Sequence, residues 1–182
     1  MCIRDSYYVY RLRKQGYVTT KAASNKTRVY YIDRKNKLGG KSYYEIINAH
    51  SPIKLAESSS YKVYGRELSL EETLVYAIKT KKVRVITAAL GLFKSICDWK
   101  LLGELARNNH LERSVGALYD LARKIMKTRR MSKTLMNSLL PAKSDKFVEM
   151  IEGFRSKDFE DIEEKWKIRI PLNKADLEEY IK

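Results

Sequence analysis

The chain has 182 residues, of which 44% are apolar and 32% are charged, and its formal net charge at pH 7 is +15. This composition is typical of a folded chain with one or two domains, and it excludes an intrinsically disordered one. The longest apolar run, Val85–Phe93, is far shorter than the ~20 residues of a membrane-spanning helix, so the sequence predicts no membrane partner.

The positive charge lies in the first three-quarters of the chain. Residues 1–56 carry 12 Lys and Arg against 3 Asp and Glu, and residues 57–143 carry 17 against 8, so each block has a net charge of +9. Residues 144–182 carry 8 against 11 and are mildly acidic. A basic surface favours nucleic acid or an acidic membrane face as partner, and a generally lysine-rich composition is the alternative origin of the charge.

The chain has few cysteines and histidines. The cysteines are Cys2 and Cys97, and the histidines are His50 and His110, too few for a disulfide framework or a zinc cluster. A lone internal cysteine fits the reducing cytoplasm. No complete glycine-rich phosphate loop and no Ser–His–Asp grouping is recognisable, so we predict that the protein is not an enzyme. We also predict that it is cytoplasmic and needs neither cofactor nor metal.

A first helix is predicted to begin at Tyr7. The opening string, MCIRDS, resembles a translated adapter joined to a partial reading frame, so we exclude Met1–Ser6 from the fold and expect a fragment whose true N-terminus is missing. Val9 and Leu12 share one face of this helix. Gly16 ends it, because glycine adopts the left-handed conformation without a steric penalty.

Two short strands are predicted to follow. Tyr17–Thr20 and Arg28–Ile32 are rich in residues that suit a pleated sheet, and the basic segment Lys21–Thr27 joins them. This order of helix, glycine stop and hairpin resembles the second half of a winged-helix transcription regulator. The resemblance implies that the helix is the recognition helix and that Lys21–Thr27 is the wing; a helix packed on an ordinary hairpin is the alternative.

Contacts with nucleic acid are predicted where basic residues and tyrosines alternate. Ten of the thirteen tyrosines lie in residues 1–64, in the same part of the chain as the first basic block. Lys and Arg contact phosphates, and Tyr donates to phosphate or stacks on unpaired bases, although Tyr17, Tyr30 and Tyr43 are expected to pack between the hairpin and the helices. The residues predicted to contact duplex DNA, with RNA as the alternative, are Arg11, Arg13, Lys14, Lys21, Lys26 and Arg28.

The domain boundary is predicted after a second short helix. Ser42 and Glu45 have capping-box spacing, which favours a helix there, with a strand over Tyr43–Ile47 as the alternative. A serine-containing linker follows. We therefore predict a partial winged-helix domain in residues 1–56 and a helical domain in residues 65–182, a mainly α fold with a small β component.

The second domain shows helical periodicity from Ser69 onward. Ser69 and Glu72 form another capping box, and Asp98 is placed to cap a later helix. Short connections between the helices predict an antiparallel bundle. The apolar stripes run through Leu70–Ile78, Val83–Cys97, Trp99–Ala106 and Leu111–Ile125.

The last third of the chain carries weaker patterns. A basic run, which includes Lys124, Lys127, Arg129, Arg130 and Lys133, closes the bundle. The spacing of the apolar residues then predicts a helix over Phe147–Phe154 and an extended piece over Ile168–Leu172. Asn173, with Asp176 three positions later, is expected to cap a final helix.

A second resemblance concerns Leu102–Ile125, which reads LGELARNNHLERSVGALYDLARKI. It is similar to a pattern in AbiEi-type antitoxins and related archaeal winged-helix regulators, in which a helical domain follows the winged helix. The resemblance implies an antitoxin-like transcription regulator that binds duplex DNA and uses residues 65–182 to dimerise or to bind a partner protein.

Two other interpretations remain open. The string YRLRKQGYV followed by RVYYID also resembles part of the tRNA-splicing endonucleases, whose activity uses a Tyr, a His and a Lys. That resemblance implies an RNA-processing protein with His50 as the candidate acid. The third interpretation is a protein-interaction bundle whose charge is incidental.

Overall fold

The computed structural model describes residues 3–22, 28–35, 37–56, 62–64, 66–142 and 144–181, and the side chains of these except residues 3–6, 21, 22 and 28. Within this part of the chain the fold is mainly helical, as predicted, with nine α-helices and three two-stranded sheets. The chain forms two compact units. Unit 1 comprises residues 1–43 and 57–68, and unit 2 comprises residues 44–56 and 69–182.

Unit 1 contains a helix followed by a hairpin. Its elements are α1 (Ile3–Gln15), β1 (Val18–Ala22), β2 (Arg28–Ile32), β3 (Lys41–Ser42) and β4 (Lys62–Val63). The antiparallel β1 and β2 place Val18 opposite Ile32. The predicted bounds of β2 are confirmed, while β1 extends to Ala22 and so includes two residues assigned to the wing. Residues 23–27 of that wing, Lys26 among them, lie outside the described residues.

Gly16 ends α1, as predicted, and its φ of +89° lies in the left-handed region. The same glycine has a packing role. A Cβ built on Gly16 or on Gly40 would lie 2.5 Å from the ring of Tyr64, so that ring fits only between two residues that lack side chains. The backbone N–H of Leu38 donates to the carbonyl of Gly16 at 2.6 Å, which closes the following turn against the helix end.

Unit 2 is built from short helices around one apolar core. The largest fully buried side chains include Trp166, Tyr119, Phe93, Leu74 and Leu118. The helices are α2 (Tyr43–His50, all but its first residue in this unit), α3 (Leu70–Lys79), α4 (Val83–Ala89), α5 (Trp99–Asn108), α6 (Glu112–Ile125), α7 (Lys133–Leu139), α8 (Glu160–Trp166) and α9 (Glu178–Ile181).

Two predicted helix starts are confirmed by their caps, whereas the predicted start of α1 at Tyr7 is wrong, because that helix begins at Ile3. Ser69 accepts from the backbone N–H of Glu72 at 3.0 Å, and the Glu72 carboxylate accepts from the N–H of Ser69 at 3.4 Å. Asp98 caps α5 through the N–H of Leu101 at 2.9 Å. These bonds satisfy amide groups that a helix leaves unpaired at its first turn.

The predicted helix over Val83–Cys97 is wrong in its second half. α4 ends at Ala89, and Leu90–Lys94 forms a 3-10 turn. Gly91 is packed so closely against the backbone of His50 that any side chain there would collide with it. Close packing against α2 thus coincides with the change of helix type.

The predicted helix over Phe147–Phe154 is also wrong. Its centre forms β5 (Val148–Glu149), which pairs in parallel with β6 (Ile168–Arg169). The N–H of Met150 donates to the carbonyl of Arg169 at 3.1 Å, so pairing with a distant segment satisfies the backbone that a helix would satisfy locally. The helices α7 and α8, of seven residues each, were missed because they are too short for a periodic signal.

Residues 44–56 belong to the helical unit, whereas the predicted domain boundary places them with the hairpin. Tyr43–His50 forms the helix α2, so the alternative of a strand there is wrong. Ile47 is fully buried. The hydroxyl groups of Ser51 and Tyr180 lie 2.9 Å apart and tie this segment to the last helix of the chain.

Candidate nucleic-acid interface

One face of α1 carries an exposed stripe of tyrosines and cations. Tyr7, Tyr10, Arg11 and Lys14 occupy positions i, i+3, i+4 and i+7, which share one side of a helix. The tyrosines are 58% and 50% exposed, and both cations are exposed. The other side, marked by the half-buried Val9, is the less exposed one. The helix therefore presents four adjacent residues that can donate hydrogen bonds to an anion.

The cations of this stripe are held by the aromatic rings one turn earlier. The guanidinium carbon of Arg11 lies 5.8 Å from the centre of the Tyr7 ring, and Nζ of Lys14 lies 5.0 Å from that of Tyr10. The negative face of each ring attracts the cation. Neither cation forms an ion pair with a carboxylate among the described residues. Both charges remain available to an external phosphate.

The structure brings together only some of the predicted contact residues. Arg11 and Lys14 share the exposed stripe, whereas Arg13 is half-buried on another side of α1 and has an interaction partner within the protein. The backbones of Lys21 and Arg28 lie at the loop ends of β1 and β2. Their side chains, and all of Lys26, lie outside the described part of the structure.

The hairpin adds a second exposed aromatic surface. Tyr30 and Tyr31 of β2 are 38% and 49% exposed, and Ile32 beside them is 61% exposed. The expectation that Tyr30 packs inside is therefore wrong, while Tyr17 and Tyr43 are half-buried. The cross-strand partners of Tyr30 and Tyr31 are threonines of β1, which are too small to cover the rings.

A third cation–aromatic pair lies at the end of α1. Nζ of Lys37 is 5.4 Å from the centre of the Tyr64 ring, which Gly16 and Gly40 flank. The carboxylate of Asp33 accepts from the N–H of Lys35 at 2.8 Å and organises the turn that carries Lys37. Sequence reasoning missed this pair because 27 positions separate its members. The pairs Tyr7–Arg11 and Tyr10–Lys14 could have been found from their i, i+4 spacing.

Polar groupings in unit 2 have structural roles. The Oγ of Ser95 lies 3.2 Å from Nδ1 of His50, the candidate acid, and no tyrosine or lysine is among the hydrogen-bond partners of that ring in the described residues. Burial raises the pKa of Tyr180 to about 12, against the opposing effect of its hydrogen bond with Ser51. This hydroxyl also accepts from the N–H of Gly91 at 3.2 Å, so its role is to pair buried backbone.

A groove of about 510 Å³ in unit 2 is lined in part by Lys81 and His110. Both residues have left-handed backbones, with φ of 52° and 55°. Each directly follows a helix C-cap, and the N–H of Leu111 donates to the carbonyl of Ala106 at 2.9 Å as in a Schellman turn. Helix termination accounts for these conformations. Across the described ranges, no three His, Cys, Asp or Glu residues are grouped to hold a metal ion.

Comparison with protein-family models, with the curated proteins and with the solved structures found no match for this chain. None of the helices in the described residues has the length and apolar composition needed to cross a membrane. The features that bear on function are therefore the exposed face of α1, the hairpin that follows it and the distribution of charge.

Proposed function

We propose that this protein is a DNA-binding transcription regulator, antitoxin-like in type, whose helix α1 contacts duplex DNA. The observation that carries the proposal is the exposed stripe of Tyr7, Tyr10, Arg11 and Lys14, with its two cation–aromatic pairs. An α-helix about 10–12 Å wide fits a major groove about 12 Å across. The hairpin that follows α1 after two residues is placed in the chain where a wing would be.

The expected affinity comes mainly from phosphate contacts. Residues 1–56 have a net charge of +9, and each neutralised phosphate releases counterions from the duplex. If about four to six phosphates are contacted, the logarithm of the binding constant falls against the logarithm of salt concentration with a slope of roughly −4 to −5. We expect weak binding with little sequence preference, because these contacts do not read bases.

A fluorescence anisotropy titration with a 20-base-pair duplex at several salt concentrations tests the proposal. The variant R11Q/K14Q should weaken binding and reduce the steepness of the salt dependence by about two units, one for each lost contact. The matched control is K157Q/K174Q, which removes two exposed cations from unit 2. Binding that is independent of salt, or equal effects of the two double variants, would contradict the proposal.

Binding of unpaired nucleic acid, RNA included, is the second candidate function. The exposed rings of Tyr30 and Tyr31 favour it, because a base stacked on an aromatic side chain contributes about 1–3 kcal/mol. A single-stranded 20-mer should then bind more tightly than the duplex, and Tyr30→Ala should weaken it most. Cleavage of an intron-containing tRNA would instead support the RNA-processing interpretation.

In the same proposal, unit 2 dimerises or binds a partner protein. Its exposed apolar residues support this, with Phe154 58% and Ile181 66% exposed. Single exposed apolar residues are common on protein surfaces, so the homodimer is tested by measuring the mass of the protein in solution. Light scattering that gives twice the mass of the chain supports a homodimer, and a monomeric mass leaves only the partner-protein form of the proposal.

A further inference from the structure

The connection between α6 and α7 carries a dense group of positive charges. This α6–α7 loop comprises residues 126–132 and is followed by Lys133, the first residue of α7. Lys127, Arg129, Arg130 and Lys133 are all exposed. Four cations thus fall within seven residues of unit 2, whereas the proposed function rests on α1 of unit 1.

A buried hydroxyl holds this loop in place. Tyr119 of α6 is 1% exposed, and its phenol accepts from the N–H of Met131 at 2.8 Å and donates to the carbonyl of Arg129 at 3.4 Å. Phe93 and Trp99 make T-shaped contacts with its ring, at centroid distances of 5.8 and 5.4 Å. Met131 is itself buried. The backbone of the loop is therefore anchored to the core.

Among the described residues the charges of the loop lack carboxylate partners, and the Arg129 guanidinium donates to Sγ of Cys97 at 2.8 Å. Lys124, just before the loop, pairs with Asp161, and Lys165 pairs with Asp120 at 2.6 Å. By contrast, in the described part of the chain none of the four loop cations pairs with a carboxylate. Like charges on an anchored backbone repel one another, and the loop cannot relieve that repulsion by moving away. A bound polyanion would relieve it.

We infer that the α6–α7 loop binds the phosphodiester backbone of nucleic acid, as a contact separate from α1. Lys and Arg in this pattern contact phosphates without reading the base sequence. A membrane surface fits less well, because basic segments that bind membranes usually add exposed apolar side chains. Here the apolar Met131 is buried and Met126 is half-buried, and the other residues of the loop are polar or charged.

The full-length variant K127Q/R130Q/K133Q tests the inference. Titration with a 20-base-pair duplex should show a salt dependence less steep by about two to three units. The matched control, K94Q/K157Q/K174Q, removes three exposed cations elsewhere in unit 2 and should bind like the wild type. Equal binding by the two triple variants would overturn the inference. The variant R11Q/K14Q distinguishes the two sites: if it binds like the wild type while the loop variant does not, the α1 proposal fails and the loop site stands.

Two further measurements test the anchor of the loop and the membrane alternative. Tyr119→Phe keeps every charge but removes the anchoring hydroxyl, so we expect the same salt slope with an affinity about 2–10-fold lower. Wild-type affinity in this variant would overturn the role of the anchor. Vesicles of phosphatidylcholine and phosphatidylserine test the membrane alternative. Loop-dependent binding to those vesicles without loop-dependent binding to DNA would overturn the inference.

Discussion

The two units use their apolar side chains in opposite ways. Unit 2 buries them, so that residues such as Leu74, Leu118 and Trp166 are fully enclosed. In unit 1, Val18 is the one hydrophobic residue that is buried among those described, while Tyr7 and Ile32 are about 60% exposed. Burial of apolar area is the main stabilising contribution to folding. Unit 2 therefore has a core that can stabilise it, whereas unit 1 exposes large apolar side chains.

The largest effect is expected on the thermal stability of unit 2 when residues 44–56 are removed. A fragment of residues 44–182 should unfold cooperatively, whereas residues 65–182 alone should be much less stable. The shorter fragment lacks Ile47, Ile53 and Leu55, and each buried side chain contributes about 1.5–3 kcal/mol. Thermal unfolding followed by helical circular dichroism compares the fragments. Equal melting temperatures would show that residues 44–56 are not part of this core.

Leu118→Ala tests the core of unit 2 directly. Leu118 is fully buried, as its position in the apolar stripe predicts. We expect a loss of about 2–5 kcal/mol in the free energy of unfolding, from lost transfer energy and the remaining cavity. Denaturant unfolding measures it. Tyr8→Ala, at a 61% exposed position of unit 1, is the contrasting variant, and a comparable loss there would contradict the difference between the units.

Because the hydroxyl of Tyr180 is buried, we expect the free energy of unfolding to depend on pH in the range where this phenol ionises. Burial raises its pKa from 10.0 to about 12, so the folded protein favours the protonated phenol. Its stabilising contribution is complete below the unfolded pKa and is lost as the pH rises towards about 12. A shift of this size corresponds to about 2–3 kcal/mol. The difference in unfolding free energy between wild type and Tyr180→Phe, measured from pH 9 to 12, should shrink; a constant difference would contradict the burial of an ionisable hydroxyl.

The smallest stability effects are expected at exposed cations, where the two units should differ in function. Arg123→Ala removes a cation 5.8 Å from the Tyr119 ring and should cost no more than about 0.5 kcal/mol. Arg11→Ala should also leave the melting temperature nearly unchanged. It should, however, weaken DNA binding and make the fall of the binding constant with salt, on logarithmic scales, less steep by about one unit. DNA titrations and thermal melts of both variants check this. Unchanged DNA binding by Arg11→Ala would remove the main support for α1 as the contacting helix.

Local chemistry made several features predictable from the sequence. The end of α1 at Gly16, the caps at Ser69 and Asp98 and the stripe of α6 each depend on residues within one or two turns. The predicted pair Asn173 and Asp176 likewise exchanges hydrogen bonds, at 2.8 and 3.1 Å, just before α9. Interactions of this kind depend on spacing along the chain, so the residue pattern alone indicates them.

The candidate site was predictable only in part. The amphipathic order of α1 pointed to Arg11, Arg13 and Lys14, but which of them share an exposed face depends on which side of the helix packs. That side is less exposed around Val9, which leaves Arg13 half-buried. The pairing of Lys37 with Tyr64 depends on a turn that returns to the helix end, and no short-range pattern predicts it.

Residue patterns along the chain were enough to predict the mainly helical class, the hairpin, the capped starts of α3 and α5 and the uneven distribution of charge. Contacts between distant segments, by contrast, make Val148–Glu149 a strand, since its partner Ile168–Arg169 lies about twenty positions away. Such contacts also join residues 44–56 to unit 2, where Ser51 meets Tyr180 across 129 positions. The physical reason is the same in both cases. Hydrogen bonds and burial between distant segments outweigh weak local preferences. These long-range contacts cannot be predicted from the pattern of neighbouring residues.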